Sequence, residues 1–167
     1  MRKVLLILLV LSLLLCGCTN PDYGFKKPLK FYYPLINPDY GMGSSYIQPE
    51  IREGATISGG LKDILNLYLK GPKDLTTYSY PFQYNTQVHA ISRDTTTLDI
   101  TLTRGFATYT GLPLTIACAC ITMTCLELTD VKTVRIRALD TTLDGAQYIE
   151  MNAETLLLID LGKEIQE

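Results

Sequence analysis

The sequence predicts an α+β domain in which two helices pack on one face of a small mixed β-sheet. Apolar residues recur at helical spacing in 61–69 and again in 114–128, whereas apolar and polar residues alternate along 98–103. The hydrophobic content is 47% of 167 residues, which is sufficient for one buried core. A strand with one apolar and one polar face is typical of a sheet that helices cover on one side only.

The first half of the domain is predicted to contain two strands and one helix. Residues 30–35 form a short aromatic strand, whose proline places it at a sheet edge or near the end of the strand, and residues 46–53 are extended. The helix begins at Leu61 and ends before Gly71 and Pro72. Glycine favours the left-handed cap of a helix, and proline prevents the helix from continuing.

The second half is predicted to contain a hairpin, a helix and further strands. Residues 87–94 and 96–103 form the hairpin, and a helix that begins at Gly111 closes at Asp130. An alternating strand follows at 131–137. Two short strands at 147–151 and 156–160 complete or extend the sheet.

The N-terminus has the features of an export signal. Arg2 and Lys3 precede an apolar run over residues 4–15, which is shorter than the ~20 residues that a membrane-spanning helix needs. An uncleaved signal anchor is the alternative.

The end of this run resembles the lipobox of bacterial lipoproteins, in which cleavage precedes a cysteine that carries diacylglycerol. Gly17 is the small residue that the cut requires, so Cys18 is the predicted lipidation site. Cys16 is a poorer candidate because bulky Leu15 precedes it.

The predicted organisation is a lipoprotein signal peptide (1–17), a tether (18–29), a single domain (30–161) and a C-terminal tail (162–167). The mature chain is expected on the extracytoplasmic face of the cell membrane, anchored by lipid. With 17 acidic against 15 basic residues and no basic cluster, nucleic acid is not expected as a partner.

Three cysteines crowd the second helix, and we predict that they fill space in its packing. On a helix Cys118 and Cys120 point to nearly opposite sides, while Cys118 and Cys125 are ~10.5 Å apart along the axis. Neither pair fits a disulfide, which needs Cα atoms within about 7 Å. Zinc requires four converging ligands, and the single His89 lies on a predicted strand. No metal site and no cofactor are therefore predicted.

No charged residue occurs between Gly105 and Leu126. A helix that is apolar all round must be covered on every face. It is either a deeply buried central helix or a helix with a face turned to a partner subunit. The predicted partner-facing residues are Ala119, Thr122, Met123 and Leu126.

Aromatic residues occupy every second position at Tyr78, Tyr80, Phe82 and Tyr84. In an extended chain these four rings share one side. They form either a platform for a glycan or peptide ligand or the cover of a core edge.

Several segments together resemble the GerMN domain of sporulation and spore-germination proteins. They are KFYYP (30–34), LNLYLKGP (65–72), LDITLTRGF (98–106), the cysteine helix and VKTVRIR (131–137). The resemblance covers about residues 30–145 and implies a fold similar to the ring-building motif, which supports subunit assembly in secretion-like complexes of sporulating cells. It implies no catalytic residues. Some members carry two tandem domains, whereas this chain has room for one.

The function expected from location and resemblance is that of a non-enzymatic, membrane-anchored lipoprotein. It would assist assembly or scaffolding at the cell envelope, in sporulation or spore germination, with protein partners or copies of itself. The alternative is a module that binds peptidoglycan or assists a peptidoglycan enzyme through the aromatic row. The sequence contains no GxSxG, HExxH or phosphate-binding glycine loop, so no enzyme activity is predicted.

Overall fold

The computed structural model describes residues 28–38, 45–52 and 60–157. The predicted signal peptide, Cys18, the tether up to residue 27 and the tail lie outside these residues, as do residues 158–161 of the predicted domain. The elements are β1 (Leu29–Pro34), β2 (Ile47–Arg52), α1 (Leu61–Tyr68), β3 (Val88–Arg93), β4 (Thr97–Leu102), a 3₁₀ turn (Arg104–Thr108), α2 (Gly111–Leu128), β5 (Thr133–Ala138), β6 (Ile149–Asn152) and α3 (Ala153–Leu157).

The strands divide between two sheets. β1 and β2 form an antiparallel pair, and the other four strands lie in the order β3-β4-β5-β6. In the larger sheet β4 and β5 run parallel, whereas the two outer pairings are antiparallel. The α+β class and the mixed sheet are therefore confirmed, and the predicted hairpin is formed by β3 and β4.

The alternation in β4 and β5 gives the larger sheet one buried face. Leu98, Ile100 and Leu102 of β4 have no exposed surface, and neither do Val134 and Ile136 of β5. Burying side chains of this size stabilises a fold by about 1.5–3 kcal/mol each. The intervening residues are polar and partly exposed, so the other face contacts solvent.

Helix α1 buries the side that its periodicity predicts. Leu61, Ile64, Leu65 and Tyr68 are all at most 2% exposed. The helix ends where predicted, and Gly71 has the left-handed backbone (φ +99°) that the glycine stop requires.

Helix α2 is the central helix of the domain. By length and composition alone it could cross a membrane, but 56% of it is buried within the domain. It packs against β1, β5 and β6. Its apolar character on most sides follows from contact with both sheets.

The backbone of β1 is bonded to side chains from two helices. The Tyr32 N–H donates to Thr124 Oγ1 of α2 at 3.0 Å, and the Tyr68 hydroxyl of α1 donates to the Tyr32 carbonyl at 3.0 Å. The residue opposite Tyr32 on β2 is Pro49, which has no N–H to offer. These two bonds join the small sheet to both helices.

The prediction of a strand at 156–160 is wrong for the residues that the structure describes. Ala153–Leu157 is helical because Asn152 and Thr155 cap the helix reciprocally. The Thr155 N–H donates to Asn152 Oδ1 at 2.9 Å, and the Asn152 N–H donates to Thr155 Oγ1 at 2.8 Å. This exchange satisfies two donors that a helix N-terminus leaves open and turns the chain into a helix directly after β6.

Candidate functional site

A buried ion pair on β2 fixes the turn that follows α1. The Arg52 and Glu50 side chains are 5% and 9% exposed, with Nη2 and Oε2 2.7 Å apart. Arg52 also donates to the Gly71 carbonyl at 2.7 Å. Glu50 Oε1 accepts from the N–H groups of Lys73 and Asp74 at 2.7 and 3.0 Å. This arrangement cannot be predicted from the sequence, because a Glu and an Arg two residues apart on a strand usually face solvent.

The Tyr80 ring packs directly against Gly71. A Cβ added at Gly71 would lie 2.6 Å from Tyr80 Cδ2, closer than any real contact allows. The Tyr80 hydroxyl donates to the Leu69 carbonyl at 2.9 Å. The glycine that ends α1 therefore also lets one aromatic ring lie directly against the turn.

The aromatic row does not form one platform, and the prediction is corrected for Phe82. Phe82 is 2% exposed and packs edge-on against Tyr68 in the core, with ring centroids 5.1 Å apart. Tyr78 is half-buried, whereas Tyr80 and Tyr84 are 39% and 88% exposed. The segment is not a strand, so alternate residues do not share a side.

Tyr80 and Tyr84 border a groove of about 440 Å³ between the end of α1 and the segment before β3. Its lining also includes Asn66, Lys70 and Gln87, and none of the described residues that line it carries a carboxylate. The Asn66 side chain is held in place because its Oδ1 accepts from the Val88 N–H at 2.8 Å. The groove thus combines two aromatic rings with amide groups and one cation.

The three helical cysteines are buried, as predicted, and have free thiols. Burial raises the pKa of Cys118 to about 12 and also raises the pKa values of Cys120 and Cys125. Thiols with such pKa values stay protonated at neutral pH and react poorly. Among the described residues no group of three or more His, Cys, Asp or Glu side chains converges to hold a metal ion.

The predicted partner-facing set on α2 is corrected for two of its members. Ala119 and Thr122 have no exposed surface, so they cannot contact a partner of the folded domain. Met123 and Leu126 are partly buried and remain accessible.

A longer apolar line along α2 includes these two accessible residues. Leu112 is 67% exposed and Ile116 is partly buried. Leu112, Ile116, Met123 and Leu126 lie along one side of the helix, at intervals of four, seven and three residues. We call these four accessible residues the α2 seam.

The seam adjoins a charged border with β1. Lys30 Nζ lies 3.2 Å from Glu127 Oε1. Burial, followed by the Glu127 charge, raises the pKa of the neighbouring Tyr32. An apolar line beside a paired charge and a tyrosine has the composition of a protein interface.

The charged side chains on the solvent face of the larger sheet form ion pairs with one another. Arg137 lies 2.7 Å from Asp99, and Arg135 lies 2.5 Å from Glu150. The guanidinium groups of Arg135 and Arg137 lie over the Tyr148 ring, at 5.5 and 5.6 Å from its centre respectively. This face therefore offers a partner little unpaired charge.

Comparison with known proteins identifies the fold. No protein-family model matches the sequence, and no curated protein matches it either. Among solved structures the chain is similar to the tandem GerMN domains of the sporulation protein GerM from Bacillus subtilis, with a TM-score of 0.52 and 15% sequence identity. The likeness covers 75% of this chain and 43% of that one, so this chain spans less than half of the tandem structure. The described domain therefore has a GerMN-like fold, as the sequence resemblance implied.

Proposed function

We propose that this chain is a non-catalytic assembly protein of the cell envelope that acts in sporulation or spore germination. The observation that carries the proposal is the GerMN-like fold, which the chain shares with a sporulation protein. A fold alone does not determine function. An assembly function therefore also needs a surface on this domain that can bind a partner.

The α2 seam supplies that means. Leu112, Ile116, Met123 and Leu126 keep exposed surface along one side of a helix that is otherwise built into the core. In a two-fold dimer, the commonest symmetric assembly, the same four side chains of a second copy would pack against this line. The proposed partner is therefore another copy of this chain.

The proposal includes attachment to the membrane through lipid on Cys18. Support comes from the export signal and from the small Gly17 before that cysteine. Two acyl chains retain a protein on a bilayer where one chain does not. The first described strand begins at Leu29, so an extended tether would let the domain reach about 35 Å from the membrane surface. The domain would then act at the extracytoplasmic face.

Deletion of the gene in the native host, followed by complementation, tests function and anchoring together. Deletion should lower the yield of heat-resistant spores or slow their germination, and the wild-type chain should restore both. The wild-type chain should incorporate labelled palmitate, and the Cys18→Ser chain should not incorporate it and should restore function poorly. Cys16→Ser is the matched control and should behave as wild type in both respects. Normal sporulation and germination of the deletion strain would overturn the proposal, and labelling of the Cys18→Ser chain would overturn the anchor.

A further inference from the structure

We propose that the groove bordered by Tyr80 and Tyr84 binds a glycan chain that carries N-acetyl groups. This site goes beyond the assembly function, which needs no ligand. The proposal rests on the groove's size, its aromatic walls, its free amide groups and the occupied state of its backbone.

The groove has the size and walls of a saccharide site. Its volume of about 440 Å³ lies within the range of small-ligand sites. Tyr84 is 88% exposed, which is unusual for a ring of its size. The C–H face of a sugar ring is apolar and flat, so it packs on such a ring, while the tyrosine hydroxyl remains in water.

The two tyrosines are held differently. Tyr80 is fixed, because its hydroxyl donates to the Leu69 carbonyl at 2.9 Å and its ring lies against Gly71. Tyr84 lines the same groove and is free of any ring contact with Tyr80. A fixed ring beside an exposed one offers two stacking positions. Immobilising the Tyr84 side chain on binding costs less entropy than the loss of the ligand's translational and rotational freedom.

Polar groups in the groove match an acetamido sugar. Asn66 uses its Oδ1 on the Val88 N–H, and within the described residues its Nδ2 has no hydrogen-bond partner. Gln87 adds a second amide to the lining. Amides and hydroxyls donate to and accept from sugar hydroxyls and N-acetyl carbonyls. Lys70 suits a sugar acid, and the part of the lining that the structure describes has no carboxylate to repel one.

The occupied backbone argues against a peptide that binds by adding a strand. The Gln87 N–H donates to Thr103 Oγ1 at 3.1 Å, and the Gln87 carbonyl accepts from the Thr103 N–H at 2.9 Å. The Val88 N–H is taken by Asn66. Strand addition needs free backbone groups along an edge, and at this wall they are already paired. Side chains are left to recognise the ligand.

The test is a titration of the full-length chain in detergent with chitotetraose, followed by two-dimensional NMR of its ¹⁵N-labelled amides. Saturable binding is expected, with shifts in the side-chain amide signals of Asn66 and Gln87. Tyr84→Ala should weaken binding about tenfold or more. Tyr148→Ala removes an exposed tyrosine on the sheet face, away from the groove, and should leave affinity within about twofold.

Several results would overturn the site. They are the lack of saturable binding at millimolar chitotetraose, equal losses in Tyr84→Ala and Tyr148→Ala, or equally tight binding of maltotetraose, which lacks acetamido groups. Binding of a proline-rich peptide in place of chitotetraose would also overturn it, because aromatic grooves accept such peptides. Unchanged sedimentation of the Tyr84→Ala chain would show that a failure here leaves the assembly function intact.

Discussion

At the scale of single residues, Glu50 should contribute more to stability than any exposed charge in the domain. Glu50→Ala leaves Arg52 buried without its partner and removes the acceptor of two backbone N–H groups at Lys73 and Asp74. Loss of one member of a buried pair costs about 3–5 kcal/mol. We expect the free energy of unfolding in urea to fall by about that amount.

The exposed pair between Arg135 and Glu150 provides the control. Their side chains are 36% and 43% exposed, so solvent screens the interaction. Glu150→Ala should therefore change the free energy of unfolding by less than about 1 kcal/mol. Equal effects of Glu50→Ala and Glu150→Ala would contradict the role assigned to the buried pair.

Two aspartates in turns should make stability depend on pH in the acid range. Hydrogen bonds from Thr76 and Thr77 lower the pKa of Asp74 from 3.8 to about 2, and backbone bonds from Thr96 and Thr97 lower the pKa of Asp94. A carboxyl whose pKa is lower in the folded state stabilises the fold above its unfolded pKa. That contribution should be lost as the pH falls from about 4 to about 2.

Thermal unfolding followed by circular dichroism between pH 2 and pH 5 measures this effect. The double variant Asp74→Asn/Asp94→Asn keeps both side-chain acceptors but cannot titrate, so its melting temperature should fall less steeply with acid than that of the wild type. Identical slopes for the two proteins would show that these carboxylates do not stabilise their turns.

At the scale of elements, the local sequence pattern predicts a helix or strand wherever the spacing of its own apolar residues marks the side that is buried. The helical period gave α1 and α2, and alternation gave β4, because a buried stripe or face needs only one partner surface. It also predicted β1 and an extended β2, but not that these two strands pair with each other and form a sheet of their own. Nor did it reveal that Asn152 and Thr155 cap a short helix in place of a strand.

The candidate surfaces were predictable only in part, and for a similar reason. The aromatic residues at every second position from Tyr78 to Tyr84 would share one side only in an extended chain. The chain is not extended there, because it follows the turn that Glu50 holds in place. Phe82 consequently enters the core, while Tyr80 and Tyr84 stay at the surface. On α2, Ala119 and Thr122 are buried because the helix packs against β1, β5 and β6, and the sequence of the helix does not show those contacts. The ion pair that organises the turn left no local signal at all.

At the scale of the whole molecule, the domain joins a GerMN-like fold to two separate surfaces. The α2 seam is apolar and suits a second copy, whereas the groove beside Tyr84 is polar and suits a ligand. The solvent face of the larger sheet pairs its own charges, so it is less suited to binding a partner than the α2 seam or the groove. The α2 seam and the groove share no residue, so assembly and ligand binding can be tested independently.

The most direct measurement of the central claim is sedimentation velocity of the full-length chain in detergent over a range of concentrations. The account predicts a dimer or larger assembly for the wild type and a shift to monomer for Leu112→Glu. A glutamate in the first turn suits the helix dipole, so this change should leave α2 folded. Leu75→Glu alters a leucine that is 65% exposed, against 67% for Leu112, and should not change the assembly. A wild-type chain that remains monomeric at every concentration, or equal behaviour of the two variants, would contradict the account.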